Sequence, residues 1–294
     1  MVTEQERLFK RLNERFVRAF ATYKLLQDDD RVLVGLSGGK DSLLLTELLA
    51  KRARIAHPRF HVEAVHVRME NVSYETSTDY LEQFCKELDV PLHIVTTSFD
   101  SSQPKDSSPF TLHSSQPKDS SLFTLHSSQP KDSSLFTLHS SQPKDSSLFT
   151  LHSSLKKKPP CFLCSWNRRK QLFNLAQELG CNKIALGHHR DDIIHTTLMN
   201  LVYQGRFGTM PALLRMRKMP LTIIRPLCLV DEKDIARYAE LSGYEKQLKH
   251  CPYEHETERT TIARLYEEIE QMNPEARFSV WKALEREGKL TEEY

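Results

Sequence analysis

Apolar positions along this chain alternate between two periods. Between residues 4 and 26, Leu8, Leu12, Phe16, Ala19, Phe20 and Tyr23 recur at three- and four-residue spacing with Arg and Lys between them, which predicts an amphipathic helix. The acidic run Asp28–Asp30 ends it. Arg31–Leu36 is a short apolar run, the kind buried on both faces of a parallel sheet. Helical spacing resumes over Asp41–Ile55, followed by a strand at His61–Val67, a helix at Thr76–Leu88 and a strand at Leu92–Thr96. After an interruption come a helix at Leu163–Leu179, a strand at Lys183–Gly187 and a helix at Arg190–Tyr203. A strand at Leu221–Ile224, a helix at Glu232–Leu241 and two further helices, Thr260–Met272 and Pro274–Glu285, complete the pattern.

Strands alternating with helices of this length predict an α/β fold: a doubly wound parallel sheet with a helical C-terminal appendage. Ligands of such sheets bind beyond the carboxyl ends of the strands, here after Leu36, near Val67 and after Leu186. The expected organisation is an N-terminal helix in 1–30, one α/β domain built from 31–100 and 155–245, and a C-terminal helical segment in 246–294. The interruption, 101–152, is four tandem copies of a 13-residue unit, SSQPKDSSLFTLH with one Pro for Leu in the first copy. Its Ser, Gln, Pro, Lys and Asp content predicts a disordered insertion, with a repeated modification or partner site as the alternative.

Composition narrows the class. Of 294 residues, 41 are Lys or Arg and 39 Asp or Glu, so bulk charge does not argue for a nucleic-acid partner and local clustering must. Arg168, Arg169, Lys170, Arg190, Arg206, Arg215, Arg217 and Lys218 supply such a set, able to meet RNA phosphates. No apolar run approaches the roughly 20 residues of a membrane span, and the first residues lack a secretion signal pattern, so a cytoplasmic location without membrane contact is expected. Six cysteines in such a chain favour metal or redox chemistry over disulfides.

Two motifs carry chemistry. Ser37-Gly38-Gly39-Lys40-Asp41-Ser42 follows an apolar strand and opens a helix. Its glycines let backbone approach an anion, while the helix start and Lys40 attract phosphate. Asp41 repels phosphate by itself, which points to a bound Mg²⁺. Cys161-Phe162-Leu163-Cys164 precedes a helix, and Cys251 stands far downstream. Three thiolates fit either an iron–sulfur cluster with one open iron or, with His250 or His255 as a fourth ligand, zinc. Cys85, Cys181 and Cys228 lie in apolar contexts and read as core.

SGGKDS resembles the PP-loop of the ATP pyrophosphatases (N-type ATPases), which cleave ATP between the α- and β-phosphates. Together with CFLCSWNRR, the run GHHRDD at Gly187–Asp192, and Ile224-Arg225-Pro226-Leu227, the order of motifs resembles the TtcA family of tRNA 2-thiocytidine synthetases. The resemblance covers about residues 5–100 and 155–265. It implies a PP-loop ATPase domain and an enzyme, a tRNA sulfurtransferase. That enzyme adenylates the C2 oxygen of cytidine 32 in tRNA and replaces it with sulfur.

The implied cofactors are ATP, Mg²⁺ and a [4Fe-4S] cluster. The implied partners are tRNA and a cysteine desulfurase or other sulfur donor, with a homodimer plausible by analogy. Carried onto this chain, Ser37, Gly38, Gly39, Lys40, Asp41 and Ser42 hold ATP. Val67 meets adenine through its backbone, and Gly187, His188 and Asp192 line the site. Cys161, Cys164 and Cys251 are the metal ligands, and Lys40, Asp41, Cys161 and Cys164 the catalytic set. The repeat lengthens the connection into Cys161, and no second cysteine follows Cys251 closely. A 2-thiouridine-type thiolase and a non-catalytic tRNA- or nucleotide-binding relative are the alternatives. Ligating PP-loop enzymes have no need of the three cysteines.

Overall fold

The computed structural model describes residues 2–70, 72–74, 77–98, 160–246, 248–250 and 258–293. The tandem repeat, Cys251 and His255 lie outside them.

The chain builds a seven-stranded sheet in the order β4-β2-β1-β5-β7-β6-β9. Its strands are β1 (Asp30–Gly35), β2 (Phe60–Met69), β4 (Leu92–Thr97), β5 (Lys183–Ala185), β6 (Leu213–Arg215), β7 (Thr222–Ile224) and β9 (Thr291–Glu293). β3 (Ser73–Tyr74) and β8 (Lys249–His250) form a separate antiparallel ribbon. The helices are α1 (Glu4–Tyr23), α2 (Lys40–Ala53), α3 (Asp79–Leu88), α4 (Pro160–Glu178), α5 (Arg190–Gln204), α6 (Glu232–Leu241), α7 (Glu258–Met272) and α8 (Ala276–Arg286).

The expected α/β sheet is present. β4, β2, β1, β5 and β7 run parallel, and β6, antiparallel to β7, and β9, parallel to β6, run the other way. β1 explains why its sequence is a continuous apolar run. Val32, Leu33 and Val34 are fully buried, with Val32 and Val34 in the cluster that includes Leu44, Leu45 and Leu48 of α2. Leu33, one position out of phase, faces the other way, because successive side chains alternate across a strand. α4 lies across β1, β2, β4 and β5. α1 inserts Leu8, Leu12, Phe16 and Ala19 into the α2 core, and a Thr3–Glu6 capping box starts that helix.

Several boundaries differ from the periodic reading. β2 runs on to Met69 because β4 pairs with it as far as Thr97, so Val67 is not at the strand's end. The hairpin strand β6, the C-terminal strand β9 and the β3–β8 ribbon are two or three residues long, too short to show alternation. The C-terminal segment therefore supplies two helices and also a strand of the main sheet, where β9 pairs parallel with β6. Among the described residues, no helix is long and apolar enough to cross a membrane.

Candidate functional site: a cleft at the carboxyl ends of β1, β2 and β5

β1 ends at Gly35, and the chain passes through Leu36–Gly39 before α2 begins at Lys40. Gly38 takes φ 81, a left-handed conformation natural to glycine, and so turns the chain into the helix. Two serines hold the turn. The Ser37 N–H donates to Ser42 Oγ at 3.1 Å, the two hydroxyls lie 3.1 Å apart, and Ser42 Oγ donates to Gly39 O at 2.9 Å. The motif serines thus fix the loop that presents the α2 N-terminus to an anion.

Gly187, after β5, abuts the same helix start. A Cβ there would stand 3.1 Å from the Asp41 carbonyl carbon and 3.2 Å from Ser42 N. A side chain there would press these two segments apart by a few tenths of an ångström.

These segments border a cleft of ≈ 610 Å³. Of the residues singled out in the sequence, Ser37, Gly39, Asp41, Ser42, Val67, Gly187, His188 and Asp192 line it. The far wall comes from Arg168 and Leu172 of α4, and from Lys246, Leu248 and Arg259, which flank Cys251 in sequence. The β3–β8 ribbon sets His250 opposite Ser73, four residues past the end of β2 in the chain.

Cys161 and Cys164, three residues apart on the first turn of α4, share a helix face; Cys161 is exposed and Cys164 half-buried. Cys85, Cys181 and Cys228 are buried, as their apolar contexts predict. No group of three metal-ligating side chains is assembled among the described residues.

The charges are specific. Lys40 Nζ lies 2.9 Å from Glu232 Oε1 and 3.4 Å from Asp41 Oδ1. Burial opposes its charge, yet Asp41 and Glu232 together raise its pKa. Burial raises that of Asp41 against the pull of Lys40 and His189. Asp41 Oδ1 is buried without a hydrogen-bond partner among the described residues. An unsatisfied buried carboxylate oxygen facing a phosphate-binding turn fits a bound cation.

Asp192 caps α5, accepting from the His189 N–H at 3.1 Å, and stands 3.6 Å from Arg259. His188 accepts from Arg225 Nε at 3.3 Å; burial, then the Arg225 charge, lowers its pKa to about 4, so it stays neutral. His66 sets its Nδ1 2.7 Å from Leu36 O, which fixes the proton there and leaves Nε2 as an acceptor. That nitrogen is buried and without a partner among the described residues.

Not every expected residue comes together. Arg190, half-buried, donates from Nε to Asp231 at 2.8 Å, which engages its guanidinium in an internal ion pair. Arg215 pairs in register with Thr222 at the amino end of β7. The Arg215–Lys218 turn therefore lies at the opposite end of the sheet from the cleft. Conversely, His66, Glu232, Lys246, Leu248 and Arg259 have no motif to announce them, and Arg225 was singled out only as part of Ile224-Arg225-Pro226-Leu227. A strand neighbour of Val67 was the single available signal, and it pointed to His66.

A family profile for the PP-loop domain matches residues 6–109. The tRNA-cytidine(32) 2-sulfurtransferase of Bordetella avium is 30% identical over 96% of this chain and 75% of that relative. This chain belongs to that family. The family's enzyme from Acinetobacter baumannii is 29% identical, over 95% of this chain and 77% of that relative. The U34-tRNA thiolase NcsA of Methanococcus maripaludis, solved with its [4Fe-4S] cluster, superposes with a TM-score of 0.62. It has 22% sequence identity, covering 96% of this chain and 79% of NcsA, which establishes the shared fold.

Proposed function

We propose that this protein is an ATP-dependent tRNA sulfurtransferase that converts cytidine 32 to 2-thiocytidine. The observation that carries this reading is the shared cleft. One wall is the phosphate-binding turn with Asp41, and the other is the cysteine-bearing helix α4 with both flanks of Cys251. An adenylating site and a sulfur-delivering site must lie within reach of one nucleobase, and this arrangement supports that.

The α2 N-terminus and Lys40 hold the ATP phosphates. Asp41, with its unsatisfied oxygen, and Asp192 would hold Mg²⁺. The cytidine C2 oxygen attacks the α-phosphorus, the bond to the bridging oxygen breaks, and pyrophosphate leaves. Its developing charge is met by Lys40. AMP then becomes the leaving group when sulfide attacks C2, so oxygen departs on AMP and sulfur remains. Cys161, Cys164 and Cys251 would ligate a [4Fe-4S] cluster, whose fourth iron, lacking a protein ligand, can hold the sulfide to be transferred. The sulfur comes from a desulfurase or equivalent donor as a persulfide, from which a two-electron reductant such as a thiol releases it as sulfide.

The test is expression in a bacterial strain lacking its own tRNA cytidine thiolase, followed by mass spectrometry of tRNA nucleosides. The expected result is 2-thiocytidine, lost in Cys161→Ala. 2-Thiouridine in its place would transfer the same chemistry to uridine, and no thionucleoside from soluble, cluster-loaded protein would refute the assignment.

A further inference from the structure

The two charged residues of the phosphate-binding turn are held from behind by a carboxylate that does not line the cleft. We propose that Asp191 is a positioning residue for Lys40 and Asp41, an inference that rests on reading the cleft as an ATP site. Asp191 is 6% exposed and adjoins Asp192, yet the two point to different surroundings. Asp192 lines the cleft and Asp191 sits beneath it.

Two routes lead from Asp191 to the turn. Its Oδ2 accepts from the Glu232 N–H at 2.8 Å, and the Glu232 side chain meets Lys40 Nζ at 2.9 Å. The same Oδ2 lies 3.5 Å from His189 Nδ1. The other ring nitrogen of His189 lies 3.4 Å from Asp192 Oδ2 and 3.9 Å from Asp41 Oδ1. One carboxylate thus sets the first residue of α6 and the imidazole at the head of α5. These in turn set the neighbouring Lys40 and Asp41.

Asp191 is itself fixed by the C-terminal part of the chain. Arg277 of α8 places Nη1 2.8 Å from Asp191 Oδ1 and 2.7 Å from Asp231 Oδ1. Its Nε and Nη2 donate to Glu270 of α7 at 2.7 and 3.0 Å. Every arm of the guanidinium is committed, so its position is over-determined. Burial alone would raise the Asp191 pKa. The His189 contact, the Glu232 N–H and Arg277 reverse that and hold the carboxyl charged. A buried carboxylate with this set of charge-assisted bonds is rigid, and rigidity behind a phosphate site keeps the groups aligned with developing charge.

The test compares Asp191→Asn with Asp30→Asn in the full chain. Asp30 is an equally buried carboxylate, 2.9 Å from Lys183, but it lies at the start of β1, away from the cleft. Affinity for the α,β-methylene analogue of ATP with magnesium is measured by calorimetry, and the thermal midpoint is measured alongside. Asp191→Asn should weaken analogue binding about tenfold, while Asp30→Asn should lower the midpoint and leave affinity within about twofold of wild type. If Asp191→Asn does not fold, Arg277→Gln carries the same test with an expected loss of about threefold. Unchanged affinity in the Asp191 or Arg277 variant overturns the proposal. So does a loss of affinity that merely follows the loss of thermal stability in both carboxylate variants. Wild-type protein that binds no analogue would instead defeat the ATP-site reading on which the proposal stands.

Discussion

The two sides of the sheet solve different problems. On the β1–β2 side the strands are six and ten residues long, parallel, and deeply buried, and the phosphate-binding turn is contiguous in sequence. On the β7–β6–β9 side each strand has three residues, two run against the rest of the sheet, and the last arrives from the C-terminus. Asp192 and Arg259 line the cleft from two separate helices, and Glu232 of a third helix reaches Lys40 from outside the lining. The first side provides a turn that can bind phosphate by itself. The second is a brace, held by Arg15, Arg190 and Arg277 converging on Asp231. Local pattern builds the binder, and long-range ion pairing positions it.

The sharpest way to test that division is Asp41→Ala. It removes the carboxylate with the unsatisfied oxygen and should cut 2-thiocytidine formation by about 100-fold or more, with the thermal midpoint unchanged. A loss of stability in its place would move Asp41 from chemistry to scaffold.

Core truncations measure the two sides against each other. Leu33→Ala in β1 leaves a cavity at a fully buried site and should cost about 3 kcal/mol in urea unfolding. Leu214→Ala in β6, where the side chain retains 6% exposure and the hairpin can relax, should cost about 2 kcal/mol. Equal costs would erase the distinction in stability between the sides.

Gly187→Ala attacks the seam between them. The added methyl would press on the Asp41 and Ser42 backbone, so the expected effect is a destabilisation of about 1–2 kcal/mol with weakened ATP binding, read by calorimetry.

Acidification probes the first side through His66. Burial, reinforced by the Arg168 and Arg68 charges, holds the His66 pKa below its usual 6.5. Between that folded value and 6.5, the unfolded chain binds the extra proton. Stability from neutral His66 is therefore full above pH 6.5 and is lost as pH falls through the window beneath it. His66→Asn should flatten the dependence of the urea midpoint between pH 7.5 and 5.5.

The smallest effect is expected at Glu232→Gln. The exposed Lys40–Glu232 pair holds Lys40 in place, so neutralising Glu232 should weaken ATP binding by about twofold. Tighter ATP binding would show that Glu232 competes for Lys40 rather than bracing it.

How far the sequence could be read follows from the same contrast. SGGKDS lies on consecutive residues between a strand and a helix, so its turn, its anion affinity and its place on the rim were all legible. The three core cysteines were legible from their apolar neighbours. The Arg190–Asp231 pair was not legible, because nothing local reveals that Asp231, 41 residues on, captures it. That the Arg215–Lys218 run lies away from the cleft was not legible, because a three-residue hairpin strand reverses the chain.

By itself, the sequence determined the alternation of strands and helices, the phosphate-binding turn and its glycine geometry, and the resemblance that led to a tRNA-modifying family. These depend on neighbours within a few residues, where side-chain period and backbone freedom act directly. Tertiary structure alone decided which of two adjacent carboxylates enters the cleft, which arginines are spent on internal ion pairs, and that α4 and the flanks of Cys251 face the same turn. Those outcomes depend on charges brought together across tens to hundreds of residues, and only the closed fold brings them within a few ångströms.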